Sequence, residues 1–177
     1  FVKYATVYRI PFLDEIANFN GGGGGFLTTL EQEKGKSMEV GTEYYPMDNL
    51  KLGLTLYQID MEDEIEYVGF WPTGYNQNVG ETRHQGLEAY FSYLWPKYFK
   101  VYGNFTYHKA TYENGQYDGK EIPLVPQYLA NAGLEIYLPY NIMLKPEVHY
   151  VSKAYLGGDS DNNTEKLDSY TLVDVYL

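Results

Sequence analysis

The side chains best suited to chemistry here are histidines, carboxylates and loop aromatics. His84, His108 and His149 could exchange protons or ligate a metal, but no catalytic constellation forms around them and there is no cysteine. The acidic run Asp60-Met61-Glu62-Asp63-Glu64-Ile65-Glu66 could attract cations; a solvated strand end is the commoner meaning of such a run. Asp159-Ser160-Asp161-Asn162-Asn163 slightly resembles a calcium loop, yet lacks the turn glycine and the later bidentate glutamate. The glycines from Gly21 to Gly25 lack the flanking strand, helix and Lys-Ser/Thr pair of a phosphate cradle, so they read as a flexible loop tip. The segment from Tyr67 to Tyr75 is the most suggestive, because exposed aromatics in a loop can stack on a ligand. Phe70, Trp71 and Tyr75 are therefore candidate ligand contacts, with Arg83, Glu88 and His108 as weaker ones. No catalytic residue, metal site or cofactor is expected, and the chain is not expected to be an enzyme.

The elements that must position these groups are strands. Eight are expected, at about residues 1–10, 36–46, 50–66, 81–95, 98–112, 128–138, 141–155 and 167–177. Alternation is clearest where Leu87, Ala89, Phe91, Tyr93 and Trp95 oppose Glu88, Tyr90 and Ser92. The next strand sets Val101, Gly103, Phe105 and Tyr107 against Tyr102, Asn104, Thr106 and His108. No segment has a convincing helical period. Soluble strands average about 5–6 residues, whereas a tilted membrane-crossing strand needs about 9–11. Several of these run longer than that, which favours a membrane barrel over a soluble sandwich or a lipocalin-like barrel. Three tight turns carry proline after an aromatic or leucine, at Pro46, Pro96 and Pro139, and between them lie long polar connections at about 11–35, 67–80, 113–127 and 156–166. Short turns on one side and long loops on the other are the asymmetry of outer-membrane barrels.

Composition agrees. The formal net charge is −11, which leaves no basic patch for phosphate backbones and argues against a nucleic-acid partner. Tyrosine occurs 21 times against 8 phenylalanines and 2 tryptophans, and its apolar body with a polar tip suits a membrane–water boundary. No apolar run is long enough for a transmembrane helix. The expected fold is all-β: an antiparallel up-and-down transmembrane β-barrel segment of about eight long strands. The chain starts in mid-pattern and stops before its next turn is due, so a fragment of a larger barrel is expected. A small eight-stranded barrel, a passive porin and a soluble Tyr-rich β-sandwich remain the alternatives.

Four motifs in order give this pattern a family. Tyr8-Arg9-Ile10-Pro11-Phe12-Leu13-Asp14-Glu15 is similar to a Phe-Arg-Ala-Pro segment with its following Leu-x-Glu. Leu30-Glu31-Gln32-Glu33 through Ser37, Glu39 and Gly41 resembles a leucine, Pro-Glu, serine, Glu-x-Gly stretch, with Gln32 standing at the usual proline. Asn78 and Gly80, then Gly86 and Glu88, match an Asn-x-Gly … Gly-x-Glu pairing, and Ile122-Pro123-Leu124-Val125-Pro126 an Ile-Pro-x-x-Pro loop end. Over nearly the whole chain the sequence resembles the C-terminal barrel portion of TonB-dependent outer-membrane transporters of the siderophore-receptor kind. That resemblance implies a Gram-negative outer-membrane location and a barrel of about 22 strands. Residues 1–177 would be barrel, with the plug domain and final strands outside it. The implied partners are outer-membrane lipid and lipopolysaccharide, TonB through the N-terminal part, and a small metal-chelate ligand, a ferric siderophore by family habit. Arg9, Pro11, Glu39, Gly41, Asn78, Gly80, Gly86, Pro123 and Pro126 are the motif positions it marks. Haem receptors of the family carry a histidine between the Arg-Pro segment and the leucine motif; none lies between Pro11 and Leu30.

Overall fold

A computed structural model describes residues 1–18, 25–26, 29–70 and 73–177. Eight strands form one antiparallel sheet in the order β1 (Val2–Arg9), β4 (Glu33–Met47), β5 (Leu50–Glu62), β8 (Thr82–Trp95), β9 (Phe99–Tyr112), β10 (Tyr128–Leu138), β11 (Ile142–Val151) and β12 (Tyr170–Tyr176). Each strand pairs with its sequence neighbour in the sheet, which is the up-and-down meander expected from the alternation. Two small hairpins sit outside it: β2 (Ala17–Asn18) with β3 (Gly25–Phe26), and β6 (Ile65–Val68) with β7 (Tyr75–Asn78). A one-turn helix, α1 (Leu13–Ile16), follows β1.

The boundaries shift in instructive ways. The second sheet strand begins at Glu33 rather than Lys36, because pairing with β1 continues to Arg9↔Glu33. The third ends at Glu62, where Asp63 takes a positive φ of 60° and breaks the ladder. The connection expected as loop over 67–80 is mostly the β6–β7 hairpin, whose first strand starts at Ile65, inside the strand expected over 50–66. Pro46 does not end its strand: it lies where the β4–β5 register shifts between Tyr44 and Met47, a bulge that tolerates a missing N–H. The turns at Pro96 and Pro139 are tight as expected, with Lys97, Tyr140 and Asn141 at positive φ.

Period two divides the sheet into two unlike faces. One carries Val2, Tyr4, Met38, Val40, Leu52, Leu54, Leu56, Leu87, Phe91, Phe105, Val148, Val173 and Val175. Most of these are exposed: Val40 is 54% and Val173 66% accessible. Such a surface matches the outward apolar band of a membrane barrel. Its uncharged part in β8, Leu87 to Trp95, matches the length a tilted crossing strand needs. Charges appear on this face only towards the loop end, where Lys36 and Asp60 pair across strands, Asp60 and Arg83 likewise, and Arg83 bonds both Asp60 and Glu113 at 2.7 and 2.9 Å.

The other face is polar and contains a repeated device. Tyr90, Gly53 and Glu43 stand in register across β8, β5 and β4. The Tyr90 ring lies over Gly53, where any Cβ would collide with it, and its hydroxyl donates to the Glu43 carboxylate. Tyr102, Gly133 and Glu147 repeat this across β9, β10 and β11, with a Tyr102 Oη to Glu147 bond of 2.5 Å. Tyr57 covers Gly86 in the same way and meets the His108 ring edge-on at 6.0 Å.

The wall is one layer thick, so the buried apolar residues are found elsewhere. Val79, Ala110, Tyr112 and Ile122 form the main cluster, with Val68, Tyr117 and Val125 against it. All lie at the loop end, where the long connections pack on each other.

Candidate functional site

The loop end is organised around the β6–β7 hairpin. Glu64 and Val79 close its base, the Val79 amide donating to the Glu64 carbonyl at 2.8 Å. Gly80 follows at φ +86°, a left-handed turn that favours glycine, and its carbonyl accepts from the Asp63 amide at 3.0 Å. Asn78 ties the hairpin to the connection before β4: its Oδ1 accepts from Glu31 N at 2.9 Å, and its Nδ2 donates to the carbonyls of Glu31 and Asp63 at 3.1 and 2.6 Å. Near the tip, the Gly69 amide donates to the Gly158 carbonyl of the β11–β12 loop at 3.3 Å. The β9–β10 loop joins that same loop through Asn162, which bonds the Glu121 amide and carbonyl at 2.7 and 2.8 Å.

Arg9 anchors the near side. Its guanidinium reaches both Glu33 oxygens at 2.7 and 2.5 Å and both Glu15 oxygens at 2.8 Å. Pro11 sits between these contacts in the chain and, lacking an N–H, turns the backbone towards α1.

Beneath the hairpin is a buried polar centre. The Tyr112 hydroxyl, fully buried with its residue, donates to Glu66 Oε2. Among the described residues, Glu66 Oε1 is buried without a partner. Burial pushes the Glu66 carboxyl up to about 7; the Tyr112 bond opposes this and the nearby Glu64 charge adds to it. Glu64 behaves oppositely. Burial would raise it, but the His84 imidazole at 3.0 Å, with the Thr82 hydroxyl, holds it below its ordinary value. His84 and His108 have ring centroids 5.6 Å apart, and His108 Nε2 is buried without a partner among the described residues. Among the described residues no three His, Asp or Glu side chains are placed to hold a metal ion. In the β11–β12 loop, burial would raise the Asp159 carboxyl, but the amides of Asn163 and Thr164 and the Thr164 hydroxyl keep it low. That loop is thus a side-chain-capped turn rather than a cation cage.

The candidate contacts separate into three places. Phe70 and Tyr75 are on the hairpin and exposed, at 47% and 43%; Trp71 lies outside the described residues, as do residues 21–24 of the glycine run. Glu88 and His108 are on the polar face of β8 and β9. Glu88 is six residues along β8 from the loop-end residue Thr82, about 20 Å. It helps line a hollow of about 340 Å³ with Glu39, Thr55, Tyr57 and Ile59. Arg83 is on the opposite, lipid-side face and is committed to Asp60 and Glu113, so it does not join the others. Arg83 is four residues before Leu87 and shares its face, so the alternation along β8 separates it from Glu88.

The motif positions also find places. Glu39 pairs with Lys3 at 2.9 Å on the polar face. Gly41 lies under the Phe1 ring and Gly86 under Tyr57. Pro123 and Pro126 bracket Leu124, at φ +59°, in the loop entering β10. Sequence reasoning passed over Glu33, Glu15 and Tyr112. The first two were legible as neighbours of Arg9 in the two motifs; Tyr112 carried no local signal, because its partners come from other loops.

Comparison with known proteins completes the picture. The catecholate siderophore receptor Fiu of Escherichia coli is 24% identical over 185 residues, covering 100% of this chain and 24% of its own length. Among solved structures, the copper transporter OprC superposes with a TM-score of 0.76 at 18% identity, over 98% of this chain and 28% of that one. A ferric enterobactin receptor variant from Pseudomonas aeruginosa, solved with enterobactin, gives 0.74 at 20% identity, over 98% and 30%. The chain thus spans about a quarter of the curated relative it matches, and the structural likenesses establish the barrel fold. The TonB dependent receptor-like β-barrel family matches residues 1–177, so the chain belongs to that family of outer-membrane transport receptors.

Proposed function

We propose that the protein captures a ferric siderophore of the catecholate class at the loop end of its barrel and imports it across the outer membrane, energised through TonB. The observation that carries this reading is the aromatic hairpin at the loop end, where Phe70 and Tyr75 are exposed. The whole-chain match to the receptor family and to Fiu supports it. In the proposal Phe70, Trp71 and Tyr75 stack on the planar catechol rings. Glu88 and His108 line the path inside. Arg83 stays in the ionic collar and takes no part. A plug domain elsewhere in the whole protein closes the lumen and carries the TonB-binding segment. The apolar face meets outer-membrane lipid, and the collar above it meets lipopolysaccharide.

The test is radio-iron uptake from ferric enterobactin in an iron-limited strain lacking its own catecholate receptors. The full gene restores uptake, uptake stops when TonB is removed, and Phe70→Ala weakens half-saturation. Uptake that persists without TonB would overturn the proposal in favour of a passive pore.

A further inference from the structure

We propose that Arg9 and Glu33 are positioning residues for ligand capture: their ion pair, extended by Glu15, ties both strands of the β6–β7 hairpin to the end of β1 and so sets where its aromatic tip stands. This rests on the reading that the tip contacts the ligand.

The hairpin is a separate two-stranded sheet, with no ladder to the eight-stranded wall. Its placement therefore depends on side chains and a few loop amides. Glu33, only 6% exposed, uses both oxygens. Oε2 accepts from Arg9 Nε at 2.7 Å. Oε1 accepts from an Arg9 terminal nitrogen at 2.5 Å and from the Ile65 amide at 2.8 Å. Ile65 is the first residue of β6 and is itself buried. One carboxylate thus joins the end of β1, the start of β4 and the start of β6. The remaining edge of the guanidinium binds Glu15, whose backbone carbonyl accepts from Asn76 Nδ2 of β7 at 3.0 Å. Arg9 consequently reaches β6 through Glu33 and β7 through Glu15.

Only a planar fork with several fixed donors can serve two carboxylates in this way; a lysine ammonium cannot. A tilt at the base is magnified at the tip, because Phe70 lies five residues beyond Ile65. Neither Arg9 nor Glu33 needs to touch a ligand to govern its affinity.

The experiment uses the full-length receptor with Arg9→Lys, Glu33→Ala and Glu33→Gln. The last keeps an acceptor for the Ile65 amide and loses the charge. Hydrogen–deuterium exchange is followed in the hairpin and in β8 and β9. Half-saturation and maximal rate are measured with ferric enterobactin as the probe. Arg9→Lys and Glu33→Ala should speed hairpin exchange about tenfold, leave β8 and β9 unchanged, and raise half-saturation about tenfold with the maximal rate kept. Glu33→Gln should fall between these and the unaltered protein. Unchanged hairpin exchange in Glu33→Ala overturns the proposal. So does faster exchange spread equally through β8 and β9, or a loosened hairpin with unaltered half-saturation. If the unaltered receptor does not take the probe, the functional reading is what fails, and the exchange measurement alone decides the latch.

Discussion

Replacing Tyr112 by phenylalanine removes one oxygen from the most buried side chain of the loop end, and its effect should depend on pH. The hydroxyl donates to Glu66 Oε2, while Oε1 already lacks a partner among the described residues. Without Tyr112 the carboxylate is buried with neither oxygen paired. A hydrogen bond to a charged group contributes about 1.5–3 kcal/mol and a neutral one about 0.5–1.5 kcal/mol. The Glu66 carboxyl sits at about 7 against an ordinary 4.5, so it is neutral in acid and charged in alkali. A carboxyl with a raised folded value stabilises its surroundings below the unfolded value. That contribution is lost as pH rises from 4.5 towards about 7 and stays lost above it. Loop packing in the unaltered protein should therefore loosen over that window. The substitution should deepen the loss on the alkaline side. The reporters are the amides of Val79, Tyr112, Glu113 and Gly119, which bond carbonyls across the loop base at 2.8 to 3.1 Å. After correction for intrinsic rates, their exchange should quicken roughly ten- to hundredfold near about pH 8.5, and only about two- to tenfold near about pH 5.5. Equal acceleration at both pH values would refute the claim that Glu66 is the titrating group. Acceleration below about twofold at the alkaline pH would show that the Tyr112 hydroxyl stabilises nothing.

Other outcomes follow from the two faces and the loop ties. Phe105→Lys places a charge in the lipid-facing band and should cost about 2–4 kcal/mol, read as loss of heat-modifiable folded barrel on a gel. Thr106→Lys, on the polar face, should assemble normally. Gly133→Val should lift the Tyr102 ring and break its bond to Glu147, lowering the thermal midpoint more than Gly115→Val, where an added Cβ meets nothing but φ is positive. Asn78→Ala should cost about 1–3 kcal/mol of local stability and expose the connection between β1 and β4 to protease, while the barrel stays intact.

The fold was legible because two-residue alternation is long here; all eight wall strands follow from it, and in β8 and β9 so does the face that each residue takes. Their ends were less legible, since Glu33 to Gly35 read as loop until their pairing with Val7, Tyr8 and Arg9 is known. The β6–β7 hairpin was hidden by its length: four residues each side give too few alternations to stand out from an aromatic loop. The loop-end centre was illegible for a different reason. Glu66 and Tyr112 are separated by dozens of residues, and only the folding of the β6–β7 hairpin onto the end of β9 makes them neighbours.

The tyrosines lying over glycines carry a consequence for how such a wall is put together. In an antiparallel sheet, a slip that keeps both faces correct moves a strand by two residues. Such a slip would bring Tyr90 over Lys51 or Thr55, Tyr102 over Asn131 or Glu135, and Tyr57 over His84 or Glu88. Each of those positions has a Cβ, so the ring could not lie down. Hydrophobic patterning alone accepts the slipped pairing; the three ring-and-gap fits reject it. They act as a proofreading code written across strands.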